Sequence, residues 1–567
     1  MNKFSKIFII ALSTALSSFA QKNEVPKGWH LMDRQTSGFY GVSIDKAYSF
    51  LKSKNLKSKT VVVAVIDQGI DTLQEDLKSV LWTNPKEIPG NGIDDDQNGY
   101  IDDVHGWNFL GGKDGRNVKE DSDEGARVYY GLKSKWDNKE VKIETLTKDQ
   151  AYEYEMFLKA KAAITGNDNK EDDVSNVDVL SLKDIYTGLQ RSDSTLKISM
   201  GKEIFTGTEL EAYSTKSLEE KRAKNNLLGL MKANNLLDQT NKEFIDGLSE
   251  YIEYVEGEQR KTEAKKAPPI AYRKNIVGDD ESNIKDIGYG NNDIMADFPM
   301  HGTHCSGIIA AVRNNGKGMD GVADNVRIMM LRVVPDGDEH DKDIALAVRY
   351  AVDNGARVIS MSFGKNYSPQ KQWVDDAFRY AESKNVLLVL AAGNSSKDID
   401  TTDNFPNPVY KDGKGRANNL ITVGASGDPK AGGLVGYFSN YGKKEVDVFS
   451  PGVQIYSTLP GGNNYGNLQG TSMAAPLVSG IAALTLEYFP TLSAKQLKYV
   501  IEKSAQKPEY KVTKPGTDET VDLSEISKTG GIVNAYEAVK LAATLKGEIK
   551  DQKEILPKPK LVKSKKG

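Results

Sequence analysis

The chain of 567 residues carries 75 Lys and Arg against 79 Asp and Glu, for a formal net charge of −4, and 27% of its residues are charged. That balance gives no global attraction to nucleic acid or to an anionic membrane surface, and the length allows a large core with more than one structural unit. The single cysteine, Cys305, excludes an intramolecular disulfide, so stability has to come from a core, from bound ions, or from both.

Lys3 and Lys6 precede an apolar run over residues 7–16, and Ser18-Phe19-Ala20 has the small-x-small pattern of a cleavage site. Residues 1–20 therefore read as a signal peptide, and the expected destination is periplasmic or extracellular. The run is too short to span a bilayer, and no other stretch reaches ~18 apolar residues, so no integral membrane segment is expected after its removal. In an exported protein an exposed thiol would oxidise, which places Cys305 in the interior.

Residues 21–114 and 269–545 share one pattern, in which strand-length apolar runs alternate with Gly-rich turns and helical stretches. Val61-Val62-Val63-Ala64-Val65-Ile66 is apolar throughout, as a strand buried on both faces should be. Similar runs recur at 326–334, 358–361, 386–390 and 420–423. Between them, residues 341–354 carry Ile344, Leu346, Ala347, Tyr350 and Ala351 at helical spacing. Strands alternating with helices predict an α/β fold with a mainly parallel sheet. Residues 115–268 differ, being highly charged, Gly-poor and helical in pattern. Thr147-x-x-Gln150 has the form of a capping box ahead of Tyr154, Leu158 and Ala162. From Asn241, apolar residues Ile245, Leu248, Ile252 and Val255 are three and four apart. This block is expected to be a large helical insertion. The Lys/Pro-rich tail, 546–567, is expected to be disordered.

Three segments hold residues suited to nucleophilic catalysis. Asp67 ends the 61–66 run, at the carboxyl end of a parallel strand where α/β sites assemble. His301 opens His301-Gly302-Thr303-His304-Cys305-Ser306-Gly307, whose small residues suit a tightly packed helix. Ser472 lies in Gly470-Thr471-Ser472-Met473-Ala474-Ala475-Pro476, at the start of a helix with free backbone N–H groups and the positive end of the dipole. Taken singly, Asp67 could be a helix cap and Gly-Thr-Ser an ordinary N-cap.

Together, Val65-Ile66-Asp67-x-Gly69-Ile70-Asp71, His301-Gly302-Thr303-His304-x-x-Gly307 and Gly470-Thr471-Ser472-Met473-Ala474-Ala475-Pro476 resemble the three signatures of the subtilisin-like (subtilase) serine proteases, family S8, in that family's order Asp, His, Ser. Phe438-Ser439-Asn440-Tyr441-Gly442 also matches a family loop. The resemblance implies a subtilisin-like three-layer fold and a secreted serine endopeptidase acting on protein or peptide substrates, without a cofactor for catalysis. It implies Asp67, His301 and Ser472 as the charge relay. Asn394, in Leu390-Ala391-Ala392-Gly393-Asn394, would be the side-chain donor to the oxyanion, beside the Ser472 N–H. Ser362, Phe363 and Gly364 would form the edge that pairs with extended substrate. With Ala391, Ala392 and Gly393 they would wall the specificity pocket. His304 is expected to be structural.

Residues 91–103 form an oxygen-rich loop. Asp94, Asp96 and Asn98 alternate, Gly99 permits a sharp turn, Tyr100 can offer its carbonyl, and Asp102 or Asp103 could close the shell. This matches the start of an EF-hand-like loop, so structural calcium is expected there, the other reading being a solvated acidic turn. The position of the terminal bidentate Glu holds His105 instead. By resemblance, Asp76 and Asn314-Asn315 would make a second site.

Two features depart from the family: the long 115–268 insertion between the Asp and His motifs, and the shortness of the segment before residue 61, too small for the usual inhibitory propeptide. A catalytically inactive subtilase-fold binding or scaffold protein is the alternative, yet no triad or oxyanion residue is missing. A metallopeptidase using His301 and His304 would lack a His-Glu-x-x-His pattern and an evident third ligand.

Overall fold

The computed structural model describes residues 25–166, 177–296 and 299–550; the expected signal segment and residues 551–567 of the expected tail lie outside the described residues. Seven strands, β1 (Val61–Asp67), β2 (Gly106–Asn108), β3 (Val326–Arg332), β4 (Val358–Met361), β5 (Leu387–Ala391), β6 (Leu420–Ser426) and β7 (Val448–Pro451), form one parallel sheet in the order β2-β3-β1-β4-β5-β6-β7. An antiparallel hairpin, β8 (Ile455–Leu459) with β9 (Asn464–Leu468), lies outside it.

The continuous apolar runs are explained by burial on both sides. In β1, Val61, Val63 and Val65 enter one core while Ala64 and Ile66 enter the other. The first core is completed by helices α1 (Ile44–Ser53) and α2 (Met300–Ala310). On the second face lie α3 (Asp341–Asp353) and α4 (Lys371–Ser383). The first face also receives α5 (Thr471–Tyr488), α6 (Ala494–Ser504) and α7 (Ala535–Ala542). The result is the three-layer α/β arrangement expected. Helix α5 is apolar on nearly every side, from Met473 to Leu486, because it lies against the sheet beneath other helices.

The capping box at the start of the helix Lys148–Thr165 is formed, Thr147 N–H donating to Gln150 Oε1 at 3.0 Å and Gln150 N–H to Thr147 Oγ1 at 3.2 Å. A second compact unit comprises Tyr129–Asp137 and Phe157–Pro269. Its core is made by the helices Val179–Met200, Leu218–Ala233 and Asn241–Ala264, through Leu189, Leu196, Leu227, Met231, Leu248 and Val255. Residues 138–156, within the expected insertion, belong instead to the unit that carries the sheet. Among the described residues, no helix is long and apolar enough to cross a membrane.

Ile481 is fully buried between α5 and the sheet. Ile481→Ala is expected to cost about 2–5 kcal/mol of unfolding free energy, read from urea denaturation, since it leaves a cavity in a close-packed core.

Candidate active site

In the sheet order, the connection leaving β1 goes to one side, toward β2 and β3, and the one leaving β4 goes to the other, toward β5, so the carboxyl ends of β1 and β4 flank a switch point where open α/β sheets place their ligands. Asp67 is the last residue of β1, and Ser362 and Ala391 stand at the ends of the neighbouring β4 and β5. Arg332, at the end of β3 and buried, fixes this rim. Its Nε donates to Gln68 O at 2.8 Å, and its two terminal nitrogens to Asn108 Oδ1 and Val118 O. The 326–334 run carries two arginines, Arg327 and Arg332, in an otherwise apolar sequence, and nothing in that pattern marks Arg332 for this role.

Helix α2 meets the end of β1 at Gly302. A Cβ there would lie 2.1 Å from Gly69 O and 3.1 Å from Asp67 Cβ, so only glycine allows the contact. Gly69 itself has φ +134°. Thr303 continues the junction: its Oγ1 accepts the Asp71 N–H at 2.8 Å and donates to Pro299 O at 2.6 Å. Asp71 in turn accepts the Gly461 N–H at 2.8 Å, which binds the β8–β9 turn to the same corner. With α2 held this way, His301 Nδ1–H donates to Asp67 Oδ1 at 2.8 Å, and the same oxygen accepts the Gln68 N–H at 2.7 Å. Asp67 is buried, and the imidazole is 26% exposed, leaving it an open side. Burial alone would lower the imidazole pKa, but the charge of Asp67 outweighs it and holds His301 well above its ordinary value.

Ser472 lies in the first turn of α5, where backbone N–H groups have no acceptor within the helix. The preceding Gly470 has φ +151°, and a Cβ there would crowd Asn394 Nδ2 at 3.3 Å. Asn394 Oδ1 accepts both the Thr471 N–H at 2.9 Å and the Thr471 hydroxyl at 2.8 Å. The oxygen end of the amide is thereby anchored, and the NH₂ end is left for another partner. The Ser472 carbonyl accepts from Ser362 Oγ at 3.0 Å and from the Cys305 thiol at 3.3 Å, while the Ser472 hydroxyl donates to Ser362 O at 3.2 Å. Cys305 is buried, as expected, and burial raises its thiol pKa. It occupies the junction between α2 and α5.

Asp67, His301 and Cys305 each place one possible ligand atom within 4.8 Å of the others. His304, the second histidine of a metallopeptidase reading, is turned away: fully buried, it donates from Nε2 to Gly466 O at 3.2 Å, and burial pushes its pKa down to about 3.

The expected pocket walls stand at adjacent strand ends, with Ser362 and Phe363 buried and Gly364 exposed on one side, and Ala391, Ala392 and Gly393 on the other. Asn440, from the Phe438–Gly442 segment, orients the second wall. Its Nδ2 donates to Ala392 O at 2.8 Å, and its Oδ1 accepts the N–H groups of Ser395 and Lys397.

In the acidic loop, Asp94 and Asp96 come together with Glu87, each offering an oxygen within 4.8 Å of the others. Glu87 was not foreseen, because it precedes the loop and reaches it only when the chain folds back. Its Oε1 accepts the Asp95 N–H at 3.0 Å, whereas the buried Oε2 has no hydrogen-bond partner. Burial raises its pKa. Asn98 and Tyr100 lie in the same turn, the Tyr100 N–H donating to Asn98 Oδ1 at 2.8 Å. Asp102 and Asp103 serve other donors. Asp102 accepts the N–H groups of Gly90, Asn91 and Gly92. Asp103 accepts from Asn84, Asn98 and the Tyr350 hydroxyl. His105 donates to Trp82 O. At Asp76, the two carboxylate oxygens accept from Asn315 Nδ2 and the Tyr465 hydroxyl.

Replacing Gly302 by Ala is expected to push α2 off Gly69 and to cost about 1–3 kcal/mol in stability. As His301 separates from Asp67, its pKa should fall toward or below 6.5, which NMR titration of the ring resonances would follow.

A family model described as the subtilase family, Peptidase_S8, matches residues 58–525. Thermitase of Thermoactinomyces vulgaris is 37% identical over 247 residues, covering 42% of this chain and 74% of that protein. Subtilisin DY of Bacillus licheniformis is 37% identical over 209 residues, covering 36% of this chain and 70% of that protein. Thermophilic serine proteinase of Bacillus sp. (strain AK1) is 39% identical over 203 residues, or 35% of this chain; the match spans less than half, 46%, of that relative's length. With a family match that runs through all three motifs and the strands between them, the chain belongs to the subtilase family, the subtilisin-like serine endopeptidases of peptidase family S8.

Proposed function

We propose that this chain is exported by residues 1–20, to the periplasm or the exterior, and hydrolyses peptide bonds in protein or peptide substrates through an acyl-enzyme. The observation that carries the reading is the Asp67–His301 pair at 2.8 Å, set beside the N-terminal turn that bears Ser472 and tied to it through Ser362 and Cys305.

In this mechanism the Ser472 hydroxyl swings from Ser362 O to His301 Nε2 when substrate binds. Catalytic hydrogen bonds of this kind commonly tighten only in the complex. His301 takes the hydroxyl proton as Oγ attacks the carbonyl carbon, then gives that proton to the departing amine as the C–N bond breaks. Water repeats the sequence on the ester, releasing the acid and restoring Ser472. Asp67 keeps the proton on Nδ1 and stabilises the imidazolium. Asn394 Nδ2 and the Ser472 N–H stabilise the negative oxygen of each tetrahedral intermediate. The edge of residues 362–364 pairs with the extended substrate.

Residues 21–567 should label with a fluorophosphonate probe, and Ser472→Ala should abolish the labelling. A folded protein that stays unlabelled would instead favour the inactive scaffold. Asn394→Leu is expected to lower kcat by about 10²–10³, the loss measured for such a donor in subtilisin. Because Asp67 raises the His301 pKa, the base is protonated and idle until the pH passes that raised value. The acid limb of kcat/KM should therefore lie above pH 6.5, and Asp67→Asn should move it down while reducing kcat by about 10⁴.

We further propose structural calcium in the acidic loop, held by Glu87, Asp94 and Asp96 with Asn98 and the Tyr100 carbonyl alongside. The unpartnered, buried Glu87 Oε2 among two further carboxylates supports a cation there. The ion would neutralise their mutual repulsion. Calcium at about a hundred times its Kd should stabilise the fold by about 2.7 kcal/mol, read as a rise in Tm that chelator reverses and Glu87→Gln removes.

A further inference from the structure

The segment ahead of α1, residues 25–43, takes no part in the mechanism, yet it is bound into the core. It folds back on itself, Val42 N–H donating to His30 O at 2.8 Å and Ser43 N–H to Met32 O at 3.0 Å. A Cβ at Gly41 would lie 2.4 Å from Trp29 O, so the two limbs meet backbone to backbone. Trp29 is buried, and its indole N–H is shared between Val453 O and Gln454 O at 3.2 Å each, just ahead of β8. Strand β8 in turn holds α2, with Ser457 Oγ donating to His304 O and Thr458 Oγ1 to Thr303 O, both at 2.8 Å. Ser43, where the segment joins α1, has φ +62°, a left-handed conformation that costs a residue other than glycine.

His30, next to this anchor, is fully buried, and neither of its ring nitrogens has a hydrogen-bond partner among the described residues. A neutral imidazole leaves one N–H unpaired there; an imidazolium would leave two, together with a buried charge. Burial pushes the His30 pKa down to about 3. A charge on His30 would also act against one on His304 of α2, so the two imidazoles are near enough to interact. The other ionisable groups at the segment's anchors differ. Asp33 accepts from Ser43 Oγ at 2.9 Å and from Lys46 Nζ at 2.8 Å; burial would raise its carboxyl, but these bonds hold it below the ordinary carboxylate range. Asp428 accepts the Tyr40 N–H, Arg34 pairs with the exposed Glu509, and Lys27 lies over the Tyr456 ring of β8.

From this placement we infer that residues 25–43 are an acid-released latch on the helix that carries His301: docked while His30 is neutral, and freed, with loss of support for α2 through β8, when His30 takes a proton. The direction follows from where the proton is bound. Released into water, His30 titrates near 6.5, whereas docked it titrates near 3. Between those values the released form holds one more proton, so each pH unit of acidification favours release about tenfold. From pH 7.5 to pH 4.5 the gain is about 100-fold. Ser43 leaves its left-handed conformation in the same step. The buried indole of Trp29 and its two acceptors oppose release and keep the latch closed at neutral pH.

The test is hydrogen exchange by mass spectrometry on residues 21–567 carrying Ser472→Ala, which prevents self-cleavage, with rates corrected for the intrinsic effect of pH. Protection of the amides in 29–43 should fall about 100-fold between pH 7.5 and pH 4.5. Protection of α2 should fall with it, while that of β5 stays unchanged. Adding His30→Leu, or His30→Gln where the leucine variant does not fold, should hold the protection of 29–43 within about tenfold of its value at pH 7.5. Protection of 29–43 that ignores pH, or that falls equally in the His30 variants, would overturn the latch. So would a fall shared by β5, which is acid unfolding of the whole core, or a release of 29–43 that leaves α2 as protected as before.

Discussion

The architecture of the site depends on one close approach, between Gly302 on helix α2 and the backbone just after β1. Any side chain at 302 would meet Gly69 O at 2.1 Å. That contact sets the distance between a strand end and a helix face, and through it the 2.8 Å bond between Asp67 and His301. Thr303 and Asp71 hold the same junction, and the β8–β9 turn is drawn in through Asp71. A run of small and polar residues is what permits the two elements to meet backbone to backbone.

A second set of contacts carries the arrangement across to Ser472. The serine's carbonyl is the common acceptor for Ser362 at the end of β4 and for Cys305 on α2, so the strand, the histidine helix and the nucleophile helix share one atom. Asn394 ties β5 to α5 in the same way, through Thr471. Three elements far apart in sequence are thereby referenced to one helix N-terminus. The sheet beneath them is buried on both faces, and this gives the rim its rigidity. Buried cations extend that rigidity outward, with Arg332 behind Asp67 and Lys365 behind the substrate edge, each held by several acceptors.

The acidic loop shows how the same residue types divide between jobs. Asp94, Asp96, Asp102 and Asp103 are close neighbours in sequence, yet Asp102 gathers three backbone N–H groups and Asp103 three side-chain donors. Asp94 accepts the Asn98 and Gly99 N–H groups and Asp96 the Asn98 N–H and the Lys86 ammonium, while each also places an oxygen within 4.8 Å of one of Glu87. Glu87 differs from all four in keeping a buried oxygen with no hydrogen-bond partner.

By itself the sequence determined the parallel α/β class, the apolar strands, the helical character of the middle of the chain, and the family. These are read from local periodicity and from short motifs whose spacing within one element is fixed by that element's geometry. The grouping of residues from different elements was decided by tertiary structure. Glu87 joins Asp94 and Asp96 only because the chain reverses between them, and Arg332 reaches the rim from a strand whose local pattern says nothing of a site. The same holds for residues 138–156, which look helical and charged like the rest of the insertion but pack with the unit that carries the sheet. Periodicity reports which face of an element is buried; what that face is buried against depends on contacts between residues distant in the chain, and those exist only once the fold has formed.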